Sequence, residues 1–160
     1  MLKYLWLSGL VIVLDQLSKW LMTSWLSLYE TVAIVPYFNL TMAHNTGAAF
    51  SFLAGAGGWQ RWFFVCVTTV ISVGLFIWLN KLAKTKLEAV SVSLILGGAI
   101  GNVIDRLYFG YVIDFLDVYY GSYHWPAFNI ADSAIVIGAA LLIIDSFRAE
   151  PKSDTGQESA

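Results

Sequence analysis

Residues 60–80 read QRWFFVCVTTVISVGLFIWLN, a run of 21 positions with a single charge, Arg61, at its leading edge. A helix rises about 1.5 Å per residue, so a run of this length crosses the roughly 30 Å hydrocarbon core of a bilayer. Inside lipid a lone segment must satisfy its own backbone N–H and C=O groups, and a helix does so. Three more windows of the same character lie on either side, so that the predicted spans are about residues 4–24, 60–80, 88–107 and 127–147. The fold class expected is therefore an all-α polytopic membrane protein: four transmembrane helices with a small extracytoplasmic β-sheet and surface loop. Residues 1–148 form a single four-helix membrane domain in this reading. Residues 149–160, rich in Glu, Ser, Asp, Lys and Gly, have nothing to pack with and are expected to be a disordered cytoplasmic tail.

The composition fits a bilayer. Of 160 residues, 58% are hydrophobic and 12% charged, and the mean hydropathy is +0.68, which leaves too little polar surface to cover a water-soluble globule. A formal net charge of −2 supplies no basic stripe, so nucleic acid is not an expected partner. The single cysteine, Cys66, has no intrachain partner and reads as a buried small hydrophobe. Met1-Leu2-Lys3 and the apolar run after it have the look of a secretory signal, but no small-x-small site follows, and the segment reads as a retained span.

Orientation follows from the basic residues. Lys3, Lys81, Lys84, Lys86, Arg148 and Lys152 cluster at the ends predicted to be cytoplasmic, while Lys19, Arg61 and Arg106 lie in or beside the opposite helix ends. Both termini are thus expected inside and the two longer connections outside. The first of these, about residues 25–59, holds Trp25, Tyr29, Tyr37, Phe38, Phe50, Phe52 and Trp59 among few charges and is expected on the membrane surface. Within it, Phe38 to Ala43 alternates large apolar with smaller or polar side chains at period two, as a half-buried strand does. Gly55, Gly57 and Gly58 then interrupt regular structure before the second span. Seven Trp and eight Tyr are read mainly as interfacial anchors, with Trp59 and its neighbours also able to roof a groove as a mobile flap.

In the third span Gly97 and Gly101 have the four-residue spacing that lets helix backbones approach closely, a packing signal first. Carboxylates at membrane depth carry more information, because an ionisable group there is costly without a partner or a polar interior. Five need explaining: Asp15, Asp105, Asp114, Asp117 and Asp132. Asp15 and Lys19 are four apart, on one helix face, and read as a structural ion pair. Asp105 and its neighbour Arg106 point in different directions, each needing its own partner, and Asp105 is assigned to the interface. Asp145, near Arg148, is assigned there as well. Asp132 lies about five residues into the fourth predicted span, roughly 7–8 Å below its outer end, with no cation near it in sequence. Asp114 lies just beyond the third span, where a returning chain brings it against Asp132. Two carboxyls at short range do not both ionise readily, so one keeps a proton while the other is a base. Such a pair suits an aspartic peptidase and equally a proton or cation pathway.

The segments Asp15-Gln16-Leu17-Ser18-Lys19, Asn45 to Ser51, Gly97 to Arg106, Val112-Ile113-Asp114-Phe115 and Phe128 to Ser133 resemble, in order and spacing, the lipoprotein signal peptidase (signal peptidase II) family. The resemblance runs from about residue 5 to 145 and implies a bacterial inner-membrane aspartyl endopeptidase with its active site near the outer face. Such an enzyme removes the signal peptide from diacylglyceryl-modified prolipoproteins, on the amino side of the lipidated cysteine. It further implies Asp114 and Asp132 as the catalytic pair, with Asn45, Gly47, Asn102, Arg106, Asn129 and Ala131 binding substrate or supporting the site. Asp15, Lys19 and Asp105 match structural polar positions. No metal and no cofactor are implied, and the sequence agrees, since His44 and His124 stand isolated on outer loops without ligand spacing. The partners expected are the prolipoprotein substrate and membrane lipids, with the protein a monomer. The competing readings are a small transport subunit using Asp15, Asp114 and Asp132 as a relay, against which the absence of an inverted repeat weighs, and a non-catalytic assembly or lipid-binding protein.

Overall fold

The computed structural model describes residues 1–47 and 57–148. Phe50, Phe52, Gly55 and the tail beyond Arg148, including Lys152, lie outside the described residues. Four helices are long and apolar enough to cross a membrane. They are α1 (Leu5–Trp25), α2 (Trp59–Ile77), which continues as a π-helical turn over Trp78–Leu82, α3 (Lys86–Tyr108) and α4 (Ile130–Arg148). Four antiparallel strands, β1 (Thr31–Val35), β2 (Phe38–Asn45), β3 (Val112–Tyr120) and β4 (Tyr123–His124), form one sheet in that order.

Helix α3 is the axis of the bundle and packs against each of the other three. Its small residues make this possible. A Cβ added at Gly97 would lie 2.8 Å from the Ser8 carbonyl of α1, and one at Gly101 would lie 2.7 Å from the Asp15 carboxylate. From the other side, a Cβ at Gly138 of α4 would come within 2.7 Å of the Ser91 carbonyl. Backbones that meet this closely admit only glycine, and in lipid such packing replaces the hydrophobic drive that water would supply. Beside Gly97, the Ser8 hydroxyl donates to the Ser93 carbonyl at 2.7 Å.

Helix α2 is different: it buries only Gln60 and Leu75, and Trp62, Val70, Ile71, Val73 and Phe76 are exposed. Cys66, expected to be buried, sits on this exposed side. The sequence could not separate the two environments, because a lipid-facing surface is as apolar as the core. The α2–α3 turn is tied by a capping box, in which the Thr85 hydroxyl accepts the Glu88 N–H and the Glu88 carboxylate accepts the Thr85 N–H. Thr85 also donates to Asp145 on α4 at 2.8 Å.

Two strands of the sheet come from the connection between α3 and α4, which the reading of Phe38–Ala43 alone did not reveal. The β2–β3 register contains a bulge: Leu40 faces Leu116, yet Ala43 faces Asp114, three steps on β2 against two on β3. A one-residue slip exchanges the faces of everything beyond it. The simple alternation expected for 38–43 is accordingly broken, and the buried residues of β2 are Asn39 and Met42. Past the bulge Asn45 faces Val112, which puts it on the same face as Asp114 and diagonal to it. Without the extra residue Asn45 would point to the opposite side.

Candidate active site

The site is built where a strand hands over to a helix. Helix α3 ends at Tyr108, and Gly110, at φ 88°, takes the left-handed conformation that turns the chain into β3. After β4 the chain returns and Phe128 pairs antiparallel with Leu116, its N–H donating to the Leu116 carbonyl at 3.0 Å and its carbonyl accepting from Leu116 at 2.8 Å. The next residue, Asn129, caps α4: its Oδ1 accepts the Asp132 N–H at 2.9 Å. Asp132 is therefore in the first turn of α4, shallower than a span beginning at 127 implied, because Phe128 is extended and Asn129 is the cap.

This handover brings Asp114 and Asp132 into one cluster of amide hydrogen bonds. Asp114 is 2% exposed, and its two oxygens accept from Asn129 Nδ2 at 2.8 Å and from Asn45 Nδ2 at 3.0 Å. Asn102 Nδ2 donates to Asp132 Oδ1 at 2.7 Å, while Asn129 Nδ2 also approaches Asn102 Oδ1 at 3.2 Å. Three neutral asparagines, one each from β2, α3 and the α4 cap, thus hold the two acids. Burial first, then the neighbouring Asp132 carboxylate, push the Asp114 carboxyl from 3.8 up to about 7, against the hydrogen bonds from Asn45 and Asn129 and the charge of Lys19. Asp132 is half-buried in the first turn of α4.

Arg106 closes one side. Its guanidinium donates to the Gly47 carbonyl at 3.2 Å and the Asn102 carbonyl at 3.4 Å, and it lies over the Phe64 ring of α2 at 5.1 Å. The Gly47 N–H in turn donates to Asn45 Oδ1 at 3.0 Å, which fixes the direction of the Asn45 amide. Ala131, fully buried, lies where α4 meets Gly98 and Gly101 of α3.

Behind the pair is a second polar cluster. Lys19 Nζ lies 2.7 Å from Asp15 and 2.8 Å from Asp105, with all three side chains almost completely buried. Asp15 Oδ1 also accepts the Ala131 N–H at 3.0 Å, so an acid on α1 satisfies one of the free donors at the start of α4. Asp105, assigned to the interface from its sequence neighbours, is instead at 0% exposure. It accepts from Gln16 Nε2 at 2.8 Å and from the Ile113 N–H at 3.1 Å, joining α1, α3 and β3. Gln16 was not singled out in the sequence, although a polar amide one residue from Asp15 inside an apolar span is the signal that marks it.

Asp117 belongs to neither cluster. It accepts from Asn39 Nδ2 at 2.8 Å and lies 2.9 Å from His124 Nδ1. His124, read as isolated, thus has a carboxylate partner, which strand pairing supplies across the β3–β4 turn. His44 stacks on Tyr111 with ring centroids 3.8 Å apart, and burial lowers its pKa from 6.5. Among the described residues no group of three His, Cys, Asp or Glu side chains could hold a metal ion.

The family model for signal peptidase (SPase) II matches residues 7–148. The chain belongs to the signal peptidase II family. A lipoprotein signal peptidase of Alteromonas mediterranea is 55% identical over 161 residues, covering 99% of this chain and 88% of the relative. One from Photorhabdus laumondii is 55% identical over 147 residues, covering 91% of this chain and 88% of its own length. A solved bacterial membrane enzyme, determined by the in meso method at 2.3 Å, superposes with a TM-score of 0.83 at 31% identity, covering 99% of this chain and 94% of that one. As a signal peptidase II the molecule is an aspartic peptidase, and the transport and assembly readings of its buried acids give way to a hydrolytic one. The family's membrane setting fits its four apolar helices.

Proposed function

We propose that this signal peptidase II removes the signal peptide from diacylglyceryl-modified prolipoproteins, cutting on the amino side of the lipidated cysteine with Asp114 and Asp132 as its catalytic pair. The observation that carries this reading is the unequal environment of two carboxyls bridged by Asn129 and Asn102: one is buried, the other half-buried on a helix N-terminus. That asymmetry assigns the roles. Asp132 takes a proton from a water molecule as the water attacks the scissile carbonyl carbon. Asp114, raised to about 7, holds a proton near neutral pH. It donates a hydrogen bond to the carbonyl oxygen as that oxygen becomes negative and delivers its proton to the leaving amine. The proton taken by Asp132 then restores Asp114, and the pair returns to its starting state.

Asn45, Asn102 and Asn129 keep the acids in register, Arg106 and Gly47 lie to one side of them, and Ala131 lets α4 approach α3 closely enough for Asn102 to reach Asp132. The diacylglyceryl group gains about 0.8 kcal/mol for each methylene it buries in the bilayer, so lipid holds the scissile bond at the depth of the sheet. Lys3, Lys81, Lys84, Lys86 and Arg148 lie at the helix ends opposite the sheet, which supports cytoplasmic termini and a site at the outer face of the inner membrane. The single four-helix domain acts as a monomer surrounded by lipid.

The test is cleavage of a diacylglyceryl-modified prolipoprotein by purified protein in detergent, with wild type, Asp114→Asn and Asp132→Asn at matched folding. Shortening by the signal peptide in wild type alone is the expected result. Equal cleavage by all three proteins removes this pair from the chemistry.

A further inference from the structure

We infer that Lys19 is a positioning residue for the catalytic pair: it locks the Asn102 carboxamide in the one orientation that leaves the negative charge on Asp132. The inference rests on the peptidase reading above and adds to it a residue that touches neither acid of the pair. Asn102 Oδ1 accepts from Lys19 Nζ at 3.3 Å and from Asn129 Nδ2 at 3.2 Å, and Asn102 Nδ2 donates to Asp132 Oδ1 at 2.7 Å. Turned over, the amide would set its NH2 group against an ammonium and a second NH2 group, and its oxygen against a carboxylate. All three contacts would then repel. With Lys19 absent only the Asn129 contact opposes rotation on the oxygen side.

The charged groups around Asn102 and Asp132, among the described residues, are Asp15 and Lys19 from α1, Asp105 and Arg106 from α3, and Asp114 from β3. Lys19 is itself immobilised. Asp15 and Asp105 grip its ammonium, Asp15 is pinned by the Ala131 N–H, and Asp105 by Gln16 and the Ile113 N–H. Lys19 acts on Asp132 by contact through Asn102, while at Asp114 its charge opposes the rise that burial causes. Arg106 directs its hydrogen bonds to the carbonyls of Asn102 and Gly47, and the Asn102 side chain is left to Lys19 and Asn129.

Substituting Lys19 alone strands two buried carboxylates, so the test pairs Lys19→Met with Asp15→Asn. The double variant keeps the net charge of the cluster, and Asn at 15 still offers an oxygen to the Ala131 N–H. In cleavage of the lipidated prolipoprotein, the acidic limb of its kcat–pH profile moves up by about one pH unit, so that kcat falls about tenfold at pH values below the wild-type limb and little above it, with KM within twofold of wild type. A profile that superimposes on wild type overturns the proposal, whatever the loss in folded fraction. Should the double variant not fold, the wild type decides by NMR. Asparagine-selective 15N labelling gives five side-chain amide pairs, and that of Asn102 is identified by its loss in an Asn102→Ser spectrum. An Asn102 side-chain amide resonance that shifts with the titration of the pair, as a group donating to Asp132 must, supports the lock. An Asn102 amide that does not respond to pH overturns it. Cleavage by Asp114→Asn and Asp132→Asn at the wild-type rate sinks the peptidase pair itself, whereas inactive Asp variants beside an unchanged double-variant profile sink only the role given to Lys19.

Discussion

Replacing Asp114 by Asn should flatten the pH dependence of folding stability, and the size of the effect can be worked out. A carboxyl that titrates at 3.8 when unfolded and at about 7 when folded binds its proton more tightly in the native state, so protonation stabilises the fold. The contribution is fully present below pH 3.8 and is lost as pH rises through 7. Over the whole interval it amounts to on the order of 4 kcal/mol, and between pH 5 and pH 8 to roughly 2.5 kcal/mol. For a chain of this size that corresponds to a fall in Tm of about 5–10 °C. The Asn variant carries a fixed penalty instead, because Asn45 and Asn129 both donate to Asp114 and an amide presents only one acceptor oxygen. Slopes are therefore the quantity to compare. The assay is thermal unfolding by circular dichroism in one detergent at pH 5, 6, 7 and 8, at constant scan rate. Wild type should lose several degrees across the series that Asp114→Asn keeps. Parallel curves for the two proteins would refute the reasoning, because the proton would then be held no more tightly folded than unfolded.

Three further outcomes are expected. Asp132→Asn should lower kcat for prolipoprotein cleavage by about 10²- to 10⁴-fold while Tm stays within a few degrees, because the Asp132 main-chain N–H, not its carboxylate, meets the cap; kcat and melting curves on one preparation check both halves. Gly101→Ala should cost about 1–3 kcal/mol, since its Cβ would fall 2.7 Å from an Asp15 oxygen and 3.4 Å from the Ala131 Cβ, whereas Gly9, with nothing within 4 Å, should accept alanine without loss; denaturant midpoints for the two variants decide. Lys19→Met alone should cost roughly 3–5 kcal/mol by leaving Asp15 and Asp105 buried without their cation, and thermal unfolding should show most of that loss recovered when Asp15→Asn is added.

Sequence made the helices legible because lipid imposes length and apolarity together, and a run such as 60–80 satisfies both with little ambiguity. It could not say which side of each helix faces lipid. Cys66 and Leu75 are both apolar members of α2, and only packing distinguishes the exposed residue from the buried one. Local reading could pair Asp15 with Lys19, which are one helical turn apart, but not Lys19 with Asp105, which depends on how α1 and α3 cross. His124 and Asp117 met the same limit: seven residues apart across a turn, they become partners only when β3 and β4 pair. Bulges are hidden in the same way, since the residue that rotates Asn45 onto the face of Asp114 has no composition of its own.

The three asparagines that hold the acids have a chemical lifetime as well as a geometry. Asparagine ages when the following backbone nitrogen attacks the side-chain amide, and the product is a carboxylate. At Asn45, Asn102 or Asn129 that reaction would exchange an N–H donor for a third carboxyl group beside Asp114 and Asp132. Each of the three is followed by a β-branched residue, Thr46, Val103 and Ile130 respectively, whose stiff, bulky side chain obstructs the attack. Asn102 is held within a helix and Asn129 at the head of one, where the backbone is far from the geometry the cyclisation needs. A scaffold made of amides, whose hydrolysis would poison the acids it supports, is thereby shielded by the residues next in the chain.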